Sequence, residues 1–196
     1  MSLRVVDSDA PSGKLSASAA LGSTENSENL AAIELEQQGM SMSDILGDLK
    51  AKESDVYFDK SGDLGEGAGR ILMVGRFLAF ASKTFAYQEM APSRADIREV
   101  QLIDIDGKKQ AMALRIAEHG GGGGREVLRV YVLAGNRFQS IFAAEVMKEQ
   151  GPKKLTTAIA FSRRGATTDI VLSPQPPVGF SPANYAEQPA EDVVPI

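Results

Sequence analysis

Apolar residues recur along the chain at two different spacings, and each spacing predicts a different kind of element. Between residues 27 and 53 the spacing is helical. Leu30, Ile33 and Leu35 mark SENLAAIELEQQG (27–39), and Ile45 and Leu49 stand one turn apart in MSMSDILGDLKAKE (40–53). Ser27 suits an N-cap and Gly39 a stop, while Ser41 and Asp44 have capping-box spacing, so two short helices are predicted. Both are acidic, and helices this short need a surface to dock on.

From Ile97 a period of two takes over. IREVQLIDI (97–105) and KKQAMALRIA (108–117) flank Asp106–Gly107, a strong hairpin signal. His119 and Gly120–Gly124 then read as a flexible loop. REVLRVYVL (125–133) puts Leu128, Val130 and Val132 on one face and Val127, Arg129, Tyr131 and Leu133 on the other. LTTAIAFS (155–162) and ATTDIVLS (166–173) form a second hairpin around Arg163, Arg164 and Gly165. Between these strands, FQSIFAAEVMKEQ (138–150) has helical spacing and ends at Gly151 and Pro152, which predicts an amphipathic helix.

RILMVGRFLAFASKTFAYQEM (70–90) fits either pattern. Its apolar residues at 71, 74, 77, 78 and 81 suit a helix, whereas its Val, Phe and Tyr content and Gly75 suit strands. A glycine inside a helix costs about 1 kcal/mol relative to alanine, which favours strand for 70–80. The elements together predict an α+β fold. It has a mostly antiparallel sheet (two hairpins plus further strands) with one packed helix, preceded by two short acidic helices.

Composition divides the chain. Residues 1–26 are rich in Ser, Ala and Asp and read as a disordered N-terminal arm. Residues 27–65 form an acidic helical segment, closed by a hinge-like stretch at Gly62, Gly65, Gly67 and Gly69. A basic α+β domain spans 66–174, and 175–196 reads as a disordered, Pro-rich acidic tail. Residues 1–65 hold 5 basic against 12 acidic side chains, residues 66–174 hold 16 against 11, and residues 175–196 hold none against 3. A basic middle between acidic arms suggests a polyanion partner, or arms that compete for the basic surface.

Several chemistries drop out. The chain has no cysteine and a single histidine, His119, which excludes disulfides, thiolate metal sites and any site needing two imidazoles. GEGAGR (65–70) and Gly120–Gly124 lack the context of a phosphate cradle. DKSGDLGE (59–66) opens like a calcium loop, but its glycine is one place late and the bidentate Glu is missing. Asp104 and Asp106 suit a turn better than a metal pair. No serine stands in a GxSxG elbow, and no general acid and base can be paired, so the expectation is a protein that is not an enzyme, with no cofactor and no metal. The most apolar stretch, Ile71 to Ala81, contains Arg76 and is too short to span a bilayer, and the N-terminus lacks a secretory pattern. A cytoplasmic protein without membrane contact is expected.

What remains is the basic surface. Arg129 and Tyr131 share one strand face, Arg125 and Arg137 stand at its ends, and Arg163 and Arg164 crown the last hairpin. Arginines around an aromatic on a sheet face can hold phosphates and stack bases. Two short pieces also resemble the bacterial single-stranded DNA-binding protein family. RILMVGRF (70–77) is similar to that family's first oligonucleotide-barrel strand, and AEDVVPI (190–196) to its partner-recruiting tail tip. The chain departs from that family in its long acidic lead, its lack of Trp and its sparsely acidic tail.

The expected function is therefore non-enzymatic nucleic-acid binding that favours single strands, with site residues Arg125, Arg129, Tyr131, Arg137, Arg163 and Arg164. The acidic arms would compete for that face or recruit protein partners. The alternative is a structural or assembly protein, a subunit or cofactor of a larger particle such as a viral one, that forms a homo-oligomer through its sheet and arms.

Overall fold

Period-two alternation extends further than the sequence pattern predicts. The structure, a computed structural model, describes residues 40–120 and 123–180. The segment 27–39, the N-terminal arm and residues 181–196 lie outside them. The described residues form antiparallel sheets of four and six strands, and within each sheet every strand pairs with its neighbour in sequence. The first sheet contains β1 (Val56–Asp63), β2 (Ala68–Val74), β3 (Phe77–Ala81) and β4 (Phe85–Glu89). The second contains β5 (Ile97–Asp104), β6 (Gln110–Gly120), β7 (Gly123–Ala134), β8 (Arg137–Gln150), β9 (Lys153–Arg164) and β10 (Thr167–Pro174).

Among the described residues one α-helix, α1 (Met42–Leu49), precedes the sheets. Its capping box is the one the sequence predicts. The Ser41 hydroxyl accepts the Asp44 N–H at 3.2 Å, and the Asp44 carboxylate accepts the Ser41 N–H at 3.2 Å. Lys50 ends the helix in the left-handed region. Among the described residues, no helix is long and apolar enough to cross a membrane.

Three apolar interfaces stack these elements. Ile45 and Leu49 of α1 cover Leu72, Val74, Ala79 and Ala81 on one face of the first sheet. The other face of that sheet, with Ile71, Met73, Leu78 and Phe80, packs on Met112, Leu114, Ile116, Tyr131 and Leu133 of the second. Each such fully buried side chain contributes about 1.5–3 kcal/mol. The far face of the second sheet, with Ala113, Leu128 and Val130, is covered by Ile159, Phe161 and Ile170 from β9 and β10. That cover is possible because β8 and β9 pair only over Met147–Gln150 and Lys153–Thr156. Beyond Thr156 the β9–β10 hairpin leaves β8 and folds over the sheet, bringing β10 against β5.

Several expectations are corrected. Residues 138–150 are not a helix but most of β8, the longest strand described. β8 carries two bulges, at Ile141 and Val146, where its pairing with β7 skips a residue. Each bulge shifts the side-chain alternation by one place, so a period of two imitates helical spacing. The glycine stretch 62–69 is not a hinge: Gly62 and Gly69 pair across the β1–β2 hairpin. The change from acidic to basic composition thus falls inside one hairpin. Of Gly120–Gly124, the described glycines extend β6 and β7, with Gly120 paired to Gly123. RILMV (70–74) is a strand, but the sequential strand order is not the Greek-key order of an oligonucleotide-binding barrel.

Candidate nucleic-acid interface

The six residues expected to form a site fall into three environments. Tyr131 lies directly opposite Met112 in the β6–β7 ladder, and only 7% of it is exposed. The face it shares with Arg129 is the face covered by the first sheet, so its ring is core and not a platform for a base. The near-continuous apolar run Val130–Leu133 carried the signal, since strands buried on both faces lose their polar alternation.

Arg125 and Arg129 keep their charge but spend it locally. Arg125 donates through Nε to Glu118 Oε2 at 2.6 Å, and Arg129 Nη2 stands 3.6 Å from the other oxygen of the same carboxylate. Arg125 Nη1 also lies 3.8 Å from Glu145, a carboxylate only 4% exposed. These arginines close a mixed ionic cluster with Glu118 and Glu145 across β6, β7 and β8.

Arg137, Arg163 and Arg164 are exposed, and the topology brings them to one end of the second sheet. In an antiparallel meander alternate turns share an end. The β5–β6, β7–β8 and β9–β10 turns therefore lie together, opposite the β6–β7 and β8–β9 turns. The first of them adds Lys108 and Lys109, both exposed. The Asp106 carboxylate accepts the N–H groups of Lys109 (2.8 Å) and Lys108 (3.0 Å), which hold its pKa below the usual carboxylate range. It thereby fixes the turn that presents both lysines.

Gly107, in the left-handed region at φ +79°, packs against Ala166, so the first and third of these turns touch. Arg163 reaches Asp104 at 3.6 Å, and Arg164 reaches Asp169 at 4.0 Å. Both arginines remain about 70% exposed, 70% and 69%. Ion pairs this exposed contribute about 0–1 kcal/mol, so a phosphate can displace them.

The other candidates resolve into structural roles. Asp63 accepts the N–H groups of Gly65 (2.7 Å) and Gly67 (3.0 Å) and so closes the β1–β2 turn. His119 is the last residue but one of β6, exposed, 3.4 Å from Asp96. A shallow cleft under the β9–β10 hairpin is lined by Glu99, Gln101, Arg115, Leu128, Ile159 and Phe161. Arg115 there is held by Glu99 at 3.4 Å and Glu126 at 3.3 Å. Among the described residues, no group of three or more His, Asp or Glu side chains is arranged to hold a metal ion. Compared with protein-family models, with characterised proteins and with solved structures, the chain finds no match.

Proposed function

We propose that the chain is a non-enzymatic nucleic-acid-binding protein whose phosphate contacts gather at the turn-bearing end of the second sheet. The observation that carries this reading is the convergence of Lys108, Lys109, Arg137, Arg163 and Arg164 from three turns onto that end. Each cation is exposed, and the arginine pairs with Asp104 and Asp169 are weak enough to exchange for phosphate. Arg125 and Arg129 belong to the ionic cluster with Glu118, and Tyr131 to the core. The reading therefore rests on phosphate contacts and not on stacking.

The test is fluorescence anisotropy with labelled single- and double-stranded oligonucleotides at low and high salt. Arg163→Glu/Arg164→Glu weakens binding at low salt at least about ten-fold. Loss of two phosphate contacts also makes the slope of log affinity against log salt shallower, by about 1.4 for single strands and 1.8 for duplex. Tighter binding of the single strand supports the single-strand preference. If the unaltered protein binds neither oligonucleotide at low salt, the nucleic-acid reading is discarded.

A further inference from the structure

The geometry points to a base-stacking platform on the outer face of the first sheet, a site that depends on the nucleic-acid reading of the cationic end. There Phe85 and Tyr87 of β4 would take the bases of a single strand whose phosphates are held by the turns. Directly opposed residues of neighbouring strands share a face. Phe85 lies opposite Ala81 and Tyr87 opposite Ala79, so both rings stand on the face that α1 covers in part. The cover seals Ala79 and Ala81, and Phe77 and Phe85 are half-buried at its margin. Tyr87, on the edge strand, is 53% exposed, and no other Phe or Tyr ring among the described residues stands as open. The ring centres of Phe85 and Tyr87 lie 5.5 Å apart at a 32° tilt, and Phe77 meets Tyr87 edge to face at 6.2 Å. These contacts restrain the Tyr87 ring before a ligand arrives, which lowers the entropy lost on binding.

Topology links these rings to the phosphate contacts. The β1–β2 turn sits on the β7–β8 turn, where the Leu64 carbonyl accepts the Leu133 N–H and Glu66 Oε1 accepts the Gly135 N–H, both at 2.8 Å. That end of the first sheet therefore lies at the cationic end of the second. In a meander the β3–β4 turn shares an end with the β1–β2 turn. Exposed Lys83 thus stands at the same end as Lys108, Lys109, Arg137, Arg163 and Arg164. From Lys83, Phe85 and then Tyr87 lead along β4 away from that end, and Arg76 in the β2–β3 turn closes the run. Arg76 pairs with Glu89 at 3.4 Å, and both side chains are half-exposed, so a phosphate can displace the carboxylate.

Cation, rings and cation in succession match one ligand chemistry. A single strand offers an exposed π-face at each base and a negative charge at each phosphate, so it answers the rings and both flanking cations together. A duplex hides its base faces in the stack and reaches only the cationic turns. A purely apolar protein surface would cover the rings and leave Lys83 and Arg76 unanswered.

The test compares a labelled oligothymidylate with a duplex of equal length, on the full chain. Tyr87→Ala is expected to weaken single-strand binding at least about five-fold, the lower bound for one lost stacking contact. It leaves duplex affinity and the salt slope unchanged, and the retained duplex binding shows that the variant is folded. Tyr87→Phe keeps the single-strand affinity. Lys83→Gln makes the single-strand salt slope shallower by about 0.7. The chain has no Trp, so tyrosine emission can be read directly. Oligothymidylate quenches that emission in the unaltered protein, and quenches it less in Tyr87→Phe. Full single-strand affinity in Tyr87→Ala, or an unchanged slope in Lys83→Gln, overturns the platform and leaves the phosphate contacts standing. So does a dimer in sedimentation that Tyr87→Ala dissociates, because a second copy then covers the rings. If the unaltered protein binds neither oligonucleotide at low salt, the platform and the nucleic-acid reading fall together.

Discussion

Glu118 and Arg125 stand directly opposite each other on β6 and β7, joined by a hydrogen bond of 2.6 Å from Nε to the carboxylate. The second oxygen of the same carboxylate faces Arg129, so one acid answers two arginines. Glu118→Ala removes one carboxylate from the surroundings of both guanidinium groups on a face that is only partly solvated. The expected cost is about 1–2 kcal/mol, the range for losing one charge-assisted hydrogen bond at a half-exposed position. Urea unfolding checks it as a lower midpoint at unchanged slope. A midpoint equal to that of the unaltered protein would mean that the arginines are satisfied without Glu118.

The Tyr57 hydroxyl is buried and has no hydrogen-bond partner, while the guanidinium of Arg94 lies 3.6 Å from the centre of its ring. Burial raises the pKa of the phenol above its ordinary value of 10.0, and the Arg94 charge opposes the shift only in part. A folded-state pKa above the unfolded one means that the folded state holds the proton more tightly. The stabilisation is complete below the unfolded pKa and is lost as pH rises through the folded value. Tyr57→Phe removes the stranded hydroxyl and is expected to be neutral or stabilising by up to about 1 kcal/mol at pH 7. Between pH 10 and 11 the unaltered protein should lose thermal stability faster than the variant, and parallel pH profiles would refute the assignment.

Local signals survived well in this sequence and long-range ones did not. The Ser41–Asp44 cap and the hairpins around Asp106–Gly107 and Gly165 depend on a few adjacent residues, and each appears where its residues predict it, with Arg163 and Arg164 drawn into β9. The exposure of Arg129 and Tyr131 could not be read the same way, because whether a strand face meets water depends on what packs over it. Here the cover is the first sheet, supplied by residues 71–80, which lie far away in sequence. The bulges at Ile141 and Val146 had a second consequence. Once 138–150 is read as a helix, the β7–β8 turn disappears, and Arg137 no longer shares an end of the sheet with Arg163 and Arg164. The cationic end is visible only when every strand of the meander is counted.

Thr157 sits where β9 parts from β8, and its hydroxyl oxygen is sealed from solvent without a hydrogen-bond partner. Thr157→Val is nearly isosteric and exchanges that hydroxyl for a methyl group. Because the usual penalty of burying a hydroxyl is already incurred, the substitution should stabilise the fold by about 1 kcal/mol. A rise in thermal midpoint measured by calorimetry checks it. A fall would show that the hydroxyl finds a partner in solution.

Two glycines make opposite predictions from the same substitution. Gly47 lies within α1, and a methyl group there meets nothing within 4 Å. Alanine restricts the unfolded chain and suits a helix better, so Gly47→Ala should stabilise by about 0.5–1 kcal/mol. Gly69, the second residue of β2, lies opposite Gly62, and a methyl group on it would come within 2.9 Å of the Ala81 carbonyl oxygen and closer still to the Phe80 ring. Phe80 is fully buried between the two sheets and the carbonyl belongs to β3, so neither neighbour can simply move aside. Gly69→Ala should therefore destabilise by about 1–3 kcal/mol, the ordinary cost of overpacking. Denaturant midpoints of the two variants, measured side by side, should fall on either side of the unaltered protein. A neutral Gly69→Ala would mean that the ring of Phe80 can leave the space against β2, and with it that the packing between the two sheets is looser than these contacts require.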